Sequence, residues 1–208
     1  VKKIIVVATS SLASALSLIG FSSRALAHEG TSLPYGSFMA GVTHPVLGMD
    51  HFLAMVSVGV LSAQIGGRAI WTVPATFVSV MAVGGLLGIA DVGLIGIEVG
   101  IAVSVLVLGS AIAVDKRLPA WVAMLAVGLF AIFHGYAHGG EMPDVAEPVR
   151  YAVGFLTGTA ALHITGLVIG DISQHYERGK LVLRIAGVII AILGGVFLAS
   201  ALGYGPAS

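Results

Sequence analysis

The stretch 119–141, PAWVAMLAVGLFAIFHGYAHGGE, holds no acidic or basic residue before Glu141 apart from two histidines. A run of about 20 mostly apolar residues is long enough to cross the hydrocarbon core of a bilayer as a helix. Its end, Phe133-His134-Gly135-Tyr136-Ala137-His138-Gly139-Gly140-Glu141, sets His134 and His138 four residues apart. That spacing puts both on one helix face, where two imidazoles can grip one metal ion. Glu141 continues the stripe, and the glycines beside these residues leave room for a partner helix or a hydrated ion to approach the backbone. One segment therefore reads both as a membrane span and as a set of metal ligands.

The rest of the chain extends that reading. Of 208 residues, 57% are hydrophobic and 10% charged, against about 25% charged in a soluble domain, and mean hydropathy is +1.03. A soluble globular fold is excluded. Ten Lys and Arg balance ten Asp and Glu, so no basic field exists to draw nucleic acid. Cysteine is absent, which removes disulfides, thiolate metal sites, iron–sulfur clusters and cysteine nucleophiles. The seven histidines are the anomaly.

Lys2 and Lys3, the apolar stretch Ile4–Ile19 and the small-residue site Ala25-Leu26-Ala27 read as a secretory signal peptide over residues 1–27. Cleavage leaves His28 first, able to chelate a cation through its α-amine and imidazole together; an uncleaved first helix is the alternative. The mature chain, 28–208, is expected to be an all-α integral membrane bundle of six transmembrane helices. They run roughly over Ser37–Gln64, Ile70–Ala90, Val92–Val114, Pro119–Gly139, Val149–Asp171 and Leu183–Gly203. With the mature N-terminus outside, the loops after the first, third and fifth spans carry Arg68, then Lys116 and Arg117, then Arg178, Lys180 and Arg184. The opposite loops carry Asp91, Glu141, Asp144 and Glu147, with Arg150 as the basic residue there. The positive-inside bias agrees with the cleavage site and predicts a bacterial inner-membrane protein whose mature N-terminus is periplasmic. The 29 glycines, notably Gly84-Gly85, Gly93/Gly96/Gly100 and Gly194-Gly195, suit helices that approach closely through small residues. No convincing internal repeat divides the spans into halves.

A second polar constellation lies in the first span, His44-Pro45-Val46-Leu47-Gly48-Met49-Asp50-His51. In an unbroken helix His44 and His51 lie on nearly one face but about 10 Å apart, too far to share an ion comfortably. Pro45 and Gly48 make a kink or an unwound turn there plausible. Asp50 beside His51, near mid-depth in this span, is expensive in a membrane unless paired, which marks the pair as functional. Glu98 in the third span and His163 midway along the fifth are further candidates, each with an ordinary packing or hydrogen-bonding role as the competing reading. Asp91, Asp171, His175 and Glu177 fall at span ends, where solvation is the default. Together the groups form a graded path for a cation from the outer surface inward. Imidazole and carboxylate without thiolate favour Ni²⁺, Co²⁺ or Zn²⁺ over Cu⁺, Mg²⁺ or Ca²⁺. The metal is the transported substrate, and no organic cofactor is called for.

The two motifs, His44-x5-Asp50-His51 and Phe133-His134-Gly135-x-Ala137-His138-Gly139-x-Glu141, resemble the signatures of the HupE/UreJ family of nickel and cobalt permeases. The resemblance implies secondary import of Ni²⁺ or Co²⁺ across the cytoplasmic membrane, linked to hydrogenase or urease maturation. It covers the mature chain from His28 onward, including the His-rich mature N-terminus, places functional roles on His44, Asp50, His51, His134, His138 and Glu141, and says nothing of Glu98 or His163. Three rival classes can be set against it. A haem-binding electron carrier wants histidines from opposing helices and leaves the carboxylates unexplained. A zinc hydrolase wants His-Glu-x-x-His, which is missing, so no enzyme is expected. A membrane metal-binding accessory or sensor shares every ligand with a transporter, and the sequence does not separate the two.

Overall fold

The computed structural model describes residues 33, 35–116 and 118–204. The expected signal peptide 1–27, His28 and Arg117 lie outside the described residues. Among those described, the chain is entirely helical: α1 Gly36–Leu47, α2 Met49–Ile65, α3 Ala69–Ile89, α4 Ile97–Val114, α5 Ala120–Gly140, α6 Pro148–Gln174 and α7 Glu177–Ala201. The helices α3 to α7 are each long and apolar enough to cross a bilayer.

The first expected span departs from a single crossing. Its apolar run is divided into α1 and α2, which meet at 85°. Pro45 takes one N–H out of the end of α1, and Gly48, extended at φ −86° and ψ 115°, ends that helix and caps the next. The restart is stabilised locally. Asp50 sits in the first turn of α2, where a carboxylate complements the helix dipole, and accepts the backbone N–H of His51 at 2.8 Å. Asp50 and His51 therefore lie at the start of a helix, not at the middle of a continuous span.

The helix α2 is the centre of the bundle and touches each of the other six. Ala54, Met55, Ser57 and Val58 along it are fully buried. Around it, α3 packs on α5, α4 on α7, and α6 on both α1 and α2. Glycine sets how closely these pairs approach. A Cβ on Gly135 would strike the Met81 carbonyl oxygen, one on Gly139 that of Gly85, and one on Gly88 that of Tyr136, so α3 and α5 meet backbone to backbone. In α6, Gly154 and Gly158 lie against the α1 carbonyls of Phe38 and Val42, and Gly166 lies against Val56 of α2. Thus α6 bridges the break. The N–H of Glu147, at its start, donates to Ser37 Oγ at 2.8 Å, tying down the first turn of α1. Of the other glycines read as packing positions, Gly84 and Gly194 also lie against backbone, Gly100 lies against the Phe133 ring, and Gly93, Gly96 and Gly195 have nothing within 4 Å.

The connections give the bundle two chemically distinct ends. Arg68, Lys116 and the α6–α7 junction with Arg178, Lys180 and Arg184 gather at one end, beside the exposed Trp71 and Trp121 near the starts of α3 and α5. Asp91, Glu141, Asp144 and Glu147 lie at the other, and the α1–α2 break is set inward from them, where Gly158 of α6 packs on Pro45. Exposed Trp at a helix end beside basic residues is the pattern of a membrane–water interface.

Gly135→Val places branched carbon onto the Met81 carbonyl and is expected to destabilise the bundle by ~1–3 kcal/mol or more. Gly195→Ala, facing open space inside a helix, is expected to be neutral or slightly stabilising. Thermal midpoints of the two variants in detergent distinguish these outcomes.

Candidate metal path

The motif of α5 works because each histidine is followed by a glycine. Gly135 and Gly139 face α3, and one residue earlier, about 100° round the helix, His134 and His138 are carried toward α1 and α2. The other motif works through the break. In one straight helix His44 and His51 would stand about two turns apart, whereas here both rings close on His138, with centroids at 4.7 and 4.3 Å. His51 also meets His134 edge-on at 4.8 Å. Four imidazoles from three helices form one contiguous array, with His138 as its hub.

Two of the rings have their tautomers set by neighbours. His51 Nδ1–H donates to Asp50 Oδ1 at 2.8 Å, leaving Nε2 buried with no hydrogen-bond partner among the described residues. A carboxylate on the far nitrogen is the usual orienting partner of a metal-ligating histidine. Gly48 makes room for it: a Cβ there would press to 3.2 Å on both Asp50 Oδ1 and His51 Nδ1. His134 is held by Ser104, whose hydroxyl donates to the Ile101 carbonyl at 2.6 Å and so accepts Nε2–H of His134 at 2.9 Å. The bare nitrogen of His134 is then Nδ1, also buried and unpartnered. Both nitrogens of His138 are buried without a partner among the described residues. Buried polar atoms are normally paired, and orphans in such number ask for a ligand.

Donors of three residues come within 4.8 Å of one another: His44, His138 and Glu141. Ligand atoms about 2.1 Å from one ion stand at most about 4.2 Å apart, so small rotations close this set on a metal. His44 Nε2 lies 3.3 Å from Glu141 Oε2. Burial by itself would raise the Glu141 pKa, but the His44 hydrogen bond and the neighbouring imidazoles of His51 and His44 outweigh it and hold the carboxyl below its ordinary value. The group is therefore ionised. Side-chain exposure falls from 49% at Glu141 to 18% at His44 and 10% at His51, and His134 is fully buried. The array thus leads from the acidic end of the bundle into its interior.

His138 is therefore grouped with His44 and Glu141, while its i,i+4 neighbour His134 faces His51 and Ser104. Glu98, in the first turn of α4, is close enough to act on His51 electrostatically. His163 lies deeper, beyond Phe77, whose ring is 5.6 Å from His134 and 5.1 Å from His163. Neither nitrogen of His163 has a partner among the described residues. Sequence reasoning missed Ser104, Phe77 and Phe155, which lies 4.1 Å from His138. Ser104 had one available signal, being a rare polar residue within an apolar helix; the aromatic rings had none.

The family model described as HupE / UreJ protein matches residues 16–197. The chain belongs to the HupE/UreJ family. It is 40% identical over 173 residues to "Protein HupE" of Rhizobium leguminosarum bv. viciae, covering 83% of this chain and 90% of that protein. No solved structure matches significantly. The family match contains every residue of the array, and this HupE/UreJ chain holds them on helices locked together by backbone contact.

Asp50→Asn keeps the shape of the Asp50–His51 contact but removes its charge. Metal affinity in detergent, measured by titration calorimetry with Ni²⁺, is expected to fall about 10–100-fold with little change in thermal midpoint.

Proposed function

We propose that this HupE/UreJ chain imports a divalent transition metal, Ni²⁺ or Co²⁺, from the periplasm to the cytoplasm, for hydrogenase or urease maturation. The observation that carries the reading is the convergence of His44, His138 and Glu141 donors within 4.8 Å at the acidic end, backed by the buried, unpartnered nitrogens of His51 and His134. In this reading residues 1–27 are removed as a signal peptide, α2 is the sixth crossing, and the acidic end is periplasmic by the positive-inside rule. At 17 residues α2 is at the short limit for a span.

The steps follow from the residues. Glu141 and the acidic loop attract a hydrated cation, with Glu98 in the first turn of α4 adding to the same field. His44, His138 and Glu141 replace part of its water. Where His44 Nε2–H donates to Glu141 without metal, that proton leaves to solvent as Nδ1 takes one up, and the ion occupies the place between the same two atoms. It then passes to His51, oriented by Asp50, to His134, oriented by Ser104, and on toward His163. Each site must bind weakly enough to release, as conduction through successive sites requires.

In proteoliposomes with an entrapped chelator, His51→Ala or His134→Ala is expected to abolish Ni²⁺ accumulation with the protein still folded. An imidazole must be neutral to bind metal, so uptake should fall from pH 7 to pH 5 as protons compete near the ordinary histidine pKa of about 6.5. Near-normal uptake in both variants, or a flat pH profile, contradicts the path. Ni²⁺ binding without uptake by the native chain would favour an accessory or sensor.

A further inference from the structure

At the basic end of the bundle, the last turn of α2 meets the end of α4 and the start of α7 through one carboxylate. Gln64 Nε2 donates to the Ile112 carbonyl at 3.2 Å and to Asp115 Oδ1 at 3.1 Å. The other oxygen of Asp115 lies 3.5 Å from Arg184 Nε. Asp115 occupies the left-handed region, φ 53°, as the residue that ends α4. A non-glycine residue accepts that conformation at some cost, here held by side-chain partners on two other helices. Its side chain is 17% exposed, and it borders a cavity of about 230 Å³ lined with Glu177, Lys180, Leu181 and Arg184.

Two further observations connect this carboxylate to the interior. Gln64 Oε1 is buried with no hydrogen-bond partner among the described residues, although the amide nitrogen of the same group is fully engaged. Ser57 Oγ, in the fully buried middle of α2, is likewise without a partner there. Asp50, Ser57 and Gln64 are spaced by seven residues along α2, two turns each, which puts them on one side of the helix. The stripe begins at the imidazole array and ends at Asp115. The carbonyls ending α4 lie at the same place and favour positive charge.

We propose that Asp115 is the exit site for the metal cation, reached along the oxygen donors Ser57 and Gln64, and that Arg184 is its gate, a tethered cation which holds the carboxylate until the metal displaces it. The proposal rests on the transport reading above. Its chemistry completes that reading: borderline divalent ions prefer imidazole, so a passage from nitrogen donors to weaker oxygen donors promotes release on the basic side. The Arg184–Asp115 pair is half-exposed on the arginine side, and an ion pair in that setting exchanges readily.

The absence of native cysteine allows a clean test in the full chain. Ser57→Cys is labelled from the basic side with a small, membrane-impermeant, positively charged thiol reagent, and Ni²⁺ uptake is measured on the same proteins without the cysteine. Arg184→Gln and Asp115→Asn both open the gate, and each is expected to raise the labelling rate about fivefold or more. Uptake separates them: Arg184→Gln accelerates it, while Asp115→Asn, lacking the exit carboxylate, loses most of it. Labelling unchanged in both variants overturns the gate. Equal loss of uptake in both, with unchanged outer-site Ni²⁺ affinity, reduces the pair to a structural brace and overturns the exit site. If labelling is gated while the native chain carries no Ni²⁺, the gate stands and the transport reading fails.

Discussion

Gly48 interrupts an otherwise continuous apolar run, and the two helices it separates meet at 85°. Everything in the array follows from that interruption. His44 and His51, which a straight helix would hold about two turns apart, both reach the ring of His138. The break also exposes the first turn of α2, where Asp50 binds both the backbone N–H and the ring Nδ1 of the next residue. One carboxylate therefore starts the helix and orients an imidazole. Irregular backbone at membrane depth is tolerated where protein covers it or where it lines a polar path. Here α6 does the covering, with Gly154 and Gly158 against α1 and Gly166 against α2.

The second constraint is close approach between backbones. In α5 the pattern of histidine followed by glycine divides two tasks between adjacent faces: Gly135 and Gly139 seat against α3, while His134 and His138 meet the rings from α1 and α2. Such contact leaves little freedom for the helix to slide. The imidazoles are positioned by rigid elements and not by loops, which fixes their mutual geometry.

Much of this was legible in the sequence. The apolar runs correspond to helices, the histidine spacings mark the residues that meet in the array, and Pro45 with Gly48 signals a break. The shift in partners was not legible, because spacing along α5 pairs His134 with His138, and only the angle at Gly48 brings His44 and His51 to them. Ser104 was hidden for a different reason: a serine in an apolar helix ordinarily bonds to its own backbone, as Ser104 does with Ile101, while its lone pair serves His134. Boundaries moved where chemistry at the ends was misread. The third span starts at Ile97 because Gly96 takes a left-handed conformation, and the last starts at Glu177, where an ion pair with Lys180 forms in the first turns.

Along the proposed path, from the acidic end to the basic end, the donors change from carboxylate and imidazole, through buried imidazole, to hydroxyl and amide oxygen. That order suits stepwise release of a cation that each site holds weakly. Its starting point is the set made by His44, His138 and Glu141, and X-ray absorption at the nickel edge of the Ni²⁺-loaded, purified chain tests that set most directly. The expected spectrum carries the multiple-scattering signature of imidazole together with oxygen ligands, and loses most of the imidazole signal in His138→Ala. A spectrum with oxygen ligands alone, or one unaltered in His138→Ala, would contradict it.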